Sequence, residues 1–146
     1  MNTIIVYTSM TGNTELIART LAKQLTNFGE NVEIKDAIDT YADELSSFER
    51  ILIGSYTWGD GDLPDELLDF YDELKTTDLS SNIGAVFGAG DSSYQHFARA
   101  VDLLEDTLTQ QGCSILQKGL KIDQSKDLDL QEECLAFTLK LLKKEN

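Results

Sequence analysis

Three short stretches constrain this chain more than anything else in it. Residues 3–8, 50–56 and 83–88 read TIIVYT, RILIGSY and IGAVFG. They are apolar or small at successive positions rather than alternate ones, so strands built from them must be covered on both faces. Between and after them the apolar spacing changes to that of helices. Residues 13–28 place Ile17, Leu21, Leu25 and Phe28 on one face, and Gly29 ends that helix. Pro64 opens a second helix with Asp65 and Glu66 in its first turn and Leu67, Tyr71 and Leu74 inward. Residues 93–111 align Phe97, Val101, Leu104 and Leu108 ahead of Gly112. Residues 127–144 align Leu130, Cys134, Phe137 and Leu141, with Lys140, Lys143 and Lys144 at the end the helix dipole favours for cations. Residues 40–47 suggest a fifth, short helix.

Residues 31–36 alternate, with Val32 and Ile34 on one side and Glu33 and Lys35 on the other, as an edge strand does. Residues 114–122 give a last strand, with a break expected at Lys118–Gly119. Five strands alternating with five helices predict a three-layer α/β sandwich around a five-stranded parallel sheet. Right-handed crossovers and the edge character of the second strand favour the order 2-1-3-4-5. In such a sheet ligands bind beyond the carboxyl ends of the strands, beside the switch point between strands 1 and 3. With 146 residues, one proline and no linker composition, residues 1–146 are expected to form a single domain.

Charge removes several function classes. The net charge is -14, from 12 basic and 26 acidic residues, which disfavours nucleic acid and anionic membranes as partners. Thirteen of the acids fall between residues 36 and 78, against two bases there, Arg50 and Lys75. Such a run reads as a solubilising face or as a docking face for basic proteins. No apolar stretch approaches a membrane span and no signal peptide is visible, so the expected location is the cytoplasm. Cys113 and Cys134 lack metal-ligand spacing and read as reduced, buried thiols.

The loops after strands 1, 3 and 4 carry the chemistry. Ser9-Met10-Thr11-Gly12-Asn13-Thr14 supplies hydroxyls, a carboxamide and a glycine at a helix N-terminus. That is either an ordinary N-cap or a cradle for a phosphate, held by unpaired amides and hydroxyls without a cation. It is not a Walker A motif, because no Gly-Lys-Ser/Thr follows. Tyr56-Thr57-Trp58-Gly59-Asp60-Gly61 sets the single tryptophan at the tip of a polar turn. Either it folds back over the sheet edge or it presents a flat ring to a ligand. Ala89-Gly90-Asp91-Ser92-Ser93-Tyr94 offers a second ring. Gly88-x-Gly90 does not continue as a dinucleotide fingerprint, and Asp91 and the serines can cap the next helix. His96 is expected on that helix's surface. Together the loops ask for a phosphate joined to a flat, hydrogen-bonding ring.

With these motifs the chain resembles the flavodoxins of the short-chain type. Ser9 to Thr14 resembles their phosphate loop. Thr57-Trp58-Gly59-Asp60 and Gly90-Asp91-Ser92-Ser93-Tyr94 with Phe97 resemble the loops on either side of the flavin. The resemblance implies a flavodoxin-like fold and non-covalent FMN. It implies that Ser9, Thr11, Asn13 and Thr14 hold the phosphate, with Met10 and Gly12 in the same loop. Trp58 and Tyr94 would flank the ring, and Asp91 with neighbouring amides would meet its pyrimidine edge. The Gly59–Asp60 peptide would face N5 and turn as an electron and a proton are taken up. Tyr56, Thr57, Gly61, Ala89, Gly90 and Phe97 complete the implied site. The implied function is a low-potential one-electron shuttle in place of ferredoxin, without substrate turnover of its own. It would act as a monomer between an NADPH-dependent flavodoxin/ferredoxin reductase and acceptor oxidoreductases such as those of cytochrome P450 type. The strand ends lack the acids of a receiver domain and the cysteine of a small phosphatase. The alternative that stays open is a flavodoxin-like FMN reductase of quinone or azo type, or a flavin-bearing activator protein.

Overall fold

The computed structural model describes residues 1–143. Lys144, expected in the last helical turn, lies outside them. Strands β1 (Asn2–Tyr7), β2 (Asn31–Asp36), β3 (Arg50–Gly54) and β4 (Ile83–Gly90) pair in parallel in the order β2-β1-β3-β4. The far edge is shared by β5 (Ser114–Ile115) and β6 (Leu120–Asp123), which lie end to end along β4. Ile83 pairs with Ser114 and Phe87 with Leu120, so the expected fifth strand is present as two pieces of one line. The gap, residues 116–119, is wider than the break expected at Lys118–Gly119. Leu116 still donates to the Gly84 carbonyl at 2.9 Å, and the Gly119 amide turns out to the Glu105 carboxylate at 2.8 Å.

Helices α1 (Asn13–Asn27) and α4 (Leu130–Lys143) cover one face. Helices α2 (Asp65–Leu74) and α3 (Arg99–Gln110) cover the other. The alternation along β1 sorts the two cores: Ile4 and Val6 pack toward α2 and α3, Ile5 and Tyr7 toward α1 and α4. β3 is buried along its whole length, as its unbroken apolar run requires, whereas β2 stays partly exposed at the edge.

Three expectations are corrected in detail. The short helix at 40–47 is a 3₁₀ turn over Ala42–Ser47, preceded by another over Ala37–Asp39, so the α-helices number four among the described residues. Phe28 is exposed, because the chain has already left α1 at that residue. The helix expected from residue 93 begins only at Arg99. Asp91 accepts from the Ser93 amide at 2.9 Å and hydroxyl at 2.6 Å, and Ala98 sits in the left-handed region at φ 48°. Short polar side chains that bond their own backbone compete with helix in this way.

Candidate functional site

A cavity of about 530 Å³ opens at the carboxyl ends of β1, β3 and β4, where the topology places ligands. Its lining draws together Ser9, Met10, Thr11, Asn13, Thr14, Tyr56, Thr57, Trp58, Gly59, Asp60, Ala89, Gly90, Asp91 and Tyr94 from the three loops singled out in the sequence. Gly12, Gly61 and Phe97 are not on the cavity wall. Gly12 is the N-cap of α1, and Gly61 is the outer corner of the second loop. Phe97 packs against the core under the Lys121 ammonium, 5.7 Å from its ring centre.

The first loop is arranged around an unfilled hydrogen-bonding demand. Gly12 reaches φ 92°, and no side chain caps α1, so the ordinary N-cap by Thr11 or Asn13 does not form. Ser9 Oγ accepts from the Gly12 amide at 3.2 Å, and Asn13 Nδ2 donates to Thr11 Oγ1 at 3.1 Å. Thr14 is 1% exposed, and its Oγ1 has no partner. Among the described residues it is the one buried side-chain polar atom left so. An orphaned buried hydroxyl costs about 1–3 kcal/mol. Beside it stand the first-turn amides of α1, which have no intrahelical acceptors, and the positive end of the helix dipole. A phosphate at this point would accept from all of them.

The second loop is a tight hairpin. Trp58 and Asp62 exchange reciprocal backbone bonds of 2.8 and 2.9 Å, with Gly59 at φ 52° and Gly61 at φ 104°. The positive φ values explain why glycine stands at both places. The Trp58 ring is 52% exposed and the Tyr94 ring 65%, and both line the cavity. Large exposed rings lining one cavity suit a flat ligand. Tyr56 donates to Glu66 at 3.0 Å; burial, then that carboxylate, pushes its phenol up to about 12, so it stays a neutral donor.

The third loop is held by a residue the sequence reading passed over. Asp123, at the end of β6, accepts from the Ser92 amide at 3.1 Å and from the Ser125 amide and hydroxyl at 3.0 and 2.6 Å. These bonds from Ser125 and Ser92 hold its carboxyl far below the usual carboxylate range. Gln124 donates its amide to the Gly90 carbonyl at 2.7 Å and joins the cavity wall with Ala98 and His96. The rule that ligands gather at strand carboxyl ends applies to β6 as to β4 and points to Asp123 and Gln124. His96, expected on a helix surface, is instead a loop residue on the cavity wall.

The flavodoxin family model matches residues 5–137. The chain belongs to the flavodoxin family. It is 37% identical over 142 residues to probable flavodoxin 2 of Bacillus subtilis, covering 97% of this chain and 94% of that one. The crystal structure of oxidised flavodoxin 2 from Bacillus cereus superposes with a TM-score of 0.93 at 39% identity, over 99% of both chains. NADPH–cytochrome P450 reductase of Cavia porcellus is 33% identical over an alignment of 144 positions, which covers 93% of this chain but 21% of that longer protein. Flavodoxins are electron carriers that use FMN, and the family gives this chain that role, that cofactor and redox partners of oxidoreductase type. Among the described residues, no helix is long and apolar enough to cross a membrane, and no cluster of side chains suits a metal.

Proposed function

We propose that the chain is a monomeric, single-domain, low-potential carrier of single electrons in the cytoplasm, reduced by a separate reductase and without substrate turnover of its own. The observation that carries this reading is the buried, unpartnered Thr14 hydroxyl at an uncapped helix N-terminus, in a cavity flanked by two exposed rings. When bound there, FMN supplies reversible one-electron chemistry. Ser9, Thr11, Asn13 and Thr14 with the Gly12 turn bind the phosphate. Trp58 and Tyr94 cover the ring and exclude water from it. The Gly59–Asp60 peptide, Gly90 and Asp91 present backbone groups to the ring's polar edge, with Met10, Tyr56, Thr57 and Ala89 filling the wall. Phe97 supports the third loop from beneath.

The same residues set the potential. Asp60 and Asp91 line the cavity, and among the described residues no lysine or arginine does. Negative charge placed between these carboxylates in a partly desolvated site is disfavoured, so the second electron is held weakly. Asp69, Asp72 and Glu73 on α2, with Asp39 beside them, form an acidic surface that suits basic partners and fast, salt-sensitive encounter. An NADPH-dependent reductase on one side and acceptor oxidoreductases, including those of P450 type, on the other fit that chemistry.

The test is the visible spectrum of the purified protein during stepwise anaerobic reduction. Two resolved one-electron steps, with NADPH effective only through an added reductase, are expected. A single two-electron step, or quinone turnover with NADPH and this protein alone, would replace the carrier by a flavin reductase. A colourless protein that takes up no added FMN would overturn both.

A further inference from the structure

We propose that Arg99 is a positioning residue that confines the motion of the Trp58–Asp62 hairpin to its Gly59–Asp60 peptide. Its effect on potential rests on the proposed carrier function. The hairpin is pinned at three places. Its base is closed by the paired Trp58 and Asp62 backbone bonds. On its inner side Thr57 Oγ1 accepts the Ala100 amide of the first turn of α3 at 3.0 Å. At its outer corner Arg99 Nη1 donates to the Gly61 carbonyl at 3.1 Å. The Arg99 stem and the His96 Cβ also wall in Gly61, each 3.0 Å from where a Cβ on Gly61 would stand. Gly59 differs in every respect. Among the described residues, nothing lies within 4 Å of its own Cβ position, and the Gly59–Asp60 peptide makes no hydrogen bond.

A peptide that must reorient does so cheaply when the residues on either side stay fixed, because only its own dihedrals change. Arg99 supplies that fixity at the Gly61 corner, which no backbone bond secures. The bond is charge-assisted, and the planar guanidinium spans from α3 to the carbonyl. Without it, motion spreads to Gly61 and Asp62. The Gly59–Asp60 peptide, which lines the cavity, then no longer moves between fixed neighbours. Arg99 is not on the cavity wall and contributes no group to it.

Arg99→Met keeps the stem and removes the donors and the charge. Hydrogen exchange of the Asp62 amide, read in the flavin-free protein, is expected to speed up about tenfold, the loss of one charge-assisted bond. In the FMN-loaded protein the gap between the two one-electron potentials is expected to narrow. The population holding a single electron at half reduction should fall about tenfold, equally at low and high salt. Gly61→Ala, which presses a methyl into Arg99 and His96 from the other side, should shift both readouts in the same direction. Unchanged Asp62 exchange in Arg99→Met overturns the anchor. A potential change that vanishes at high salt also overturns it, because charge alone would then be acting. The exchange experiment needs no flavin, so it stands even if the carrier reading fails.

Discussion

The two ends of the sheet are built on opposite plans. At the amino ends of the strands almost every demand is met from within the chain. Arg50 is wholly buried, yet its Nη1 donates to Glu30 Oε1 at 2.6 Å and to Thr3 Oγ1 at 3.0 Å. The Met1 amine lies 3.4 Å from the same glutamate. Asn82 closes the neighbouring turn by donating to the carbonyls of Leu45 and Phe48 at 3.2 and 2.7 Å. At the carboxyl ends a buried hydroxyl has no partner, α1 starts without a side-chain cap, and Trp58, Tyr94 and Met10 are exposed. One end is finished by folding; the other is left for a ligand to finish. Stability and function are thereby separated along a distance of one strand, and substitutions at the two ends should behave differently.

The largest expected effect is at the finished end. Arg50→Met removes the charge and leaves Glu30, itself mostly buried, with the amino terminus as its remaining cation among the described residues. Breaking such a pair costs about 3 kcal/mol or more, because one buried charge stays uncompensated. Against a total of about 5–15 kcal/mol this is a large loss. It should appear as a lower urea midpoint with the slope unchanged. The folded fraction should bind FMN as the parent does. A weakened FMN affinity in the folded fraction would show that the two ends are coupled and would break the comparison.

Asp123 offers an intermediate case, since it is a buried device at the open end. Its carboxylate form is favoured by the fold, so its contribution to stability is fully present above the unfolded value, about 3.9. That contribution is lost as pH falls from about 4 toward the depressed native value. Asp123→Asn should therefore fall below the parent at neutral pH, and the difference should shrink as pH drops below about 4. Thermal unfolding across that range checks the sign. FMN affinity should fall about tenfold at pH 7, because the loop bearing Tyr94 loses its charged anchor. A difference constant in pH would mean that shape rather than charge holds the loop.

The same contrast marks what was legible in the sequence. Ile4 to Tyr7, Ile51 to Ile53 and Val86 to Phe87 announced two-sided burial by composition alone, and strand order followed from it. The three loops were legible because glycines, hydroxyls and single aromatic rings stand out against such strands. What failed was decided by side chains reaching backbone. The Asp91–Ser93 turn delays α3 and carries His96 onto the cavity wall, although Phe97 keeps helical spacing with Val101. Asp123 serves Ser92 across 31 residues of sequence, and no periodicity reports a contact of that kind. Arg50 opens a run expected to be buried, but the sequence names no partner for its charge; only the fold brings Glu30 and Thr3 to it.

Thr14 carries the smallest change in stability and the sharpest test. Thr14→Val keeps the shape of the side chain and deletes the orphaned hydroxyl. In the flavin-free protein nothing is lost with that hydroxyl, and the cost of burying it disappears. Stability should rise by about 1 kcal/mol, read as a higher urea midpoint. With FMN the sign reverses. A hydrogen bond to a phosphate is charge-assisted, so affinity should fall about 10- to 100-fold in a fluorescence-quenching titration. Riboflavin, which has the ring without the phosphate, should bind the variant and the parent alike. The flavin-bound variant is then less stable than the bound parent at the same cofactor concentration, because the contribution of ligand follows its affinity. A variant destabilised without flavin would mean that water already satisfies the hydroxyl, and the open end would be less unfinished than its geometry says. Equal losses for FMN and riboflavin would move Thr14 from the phosphate to the ring.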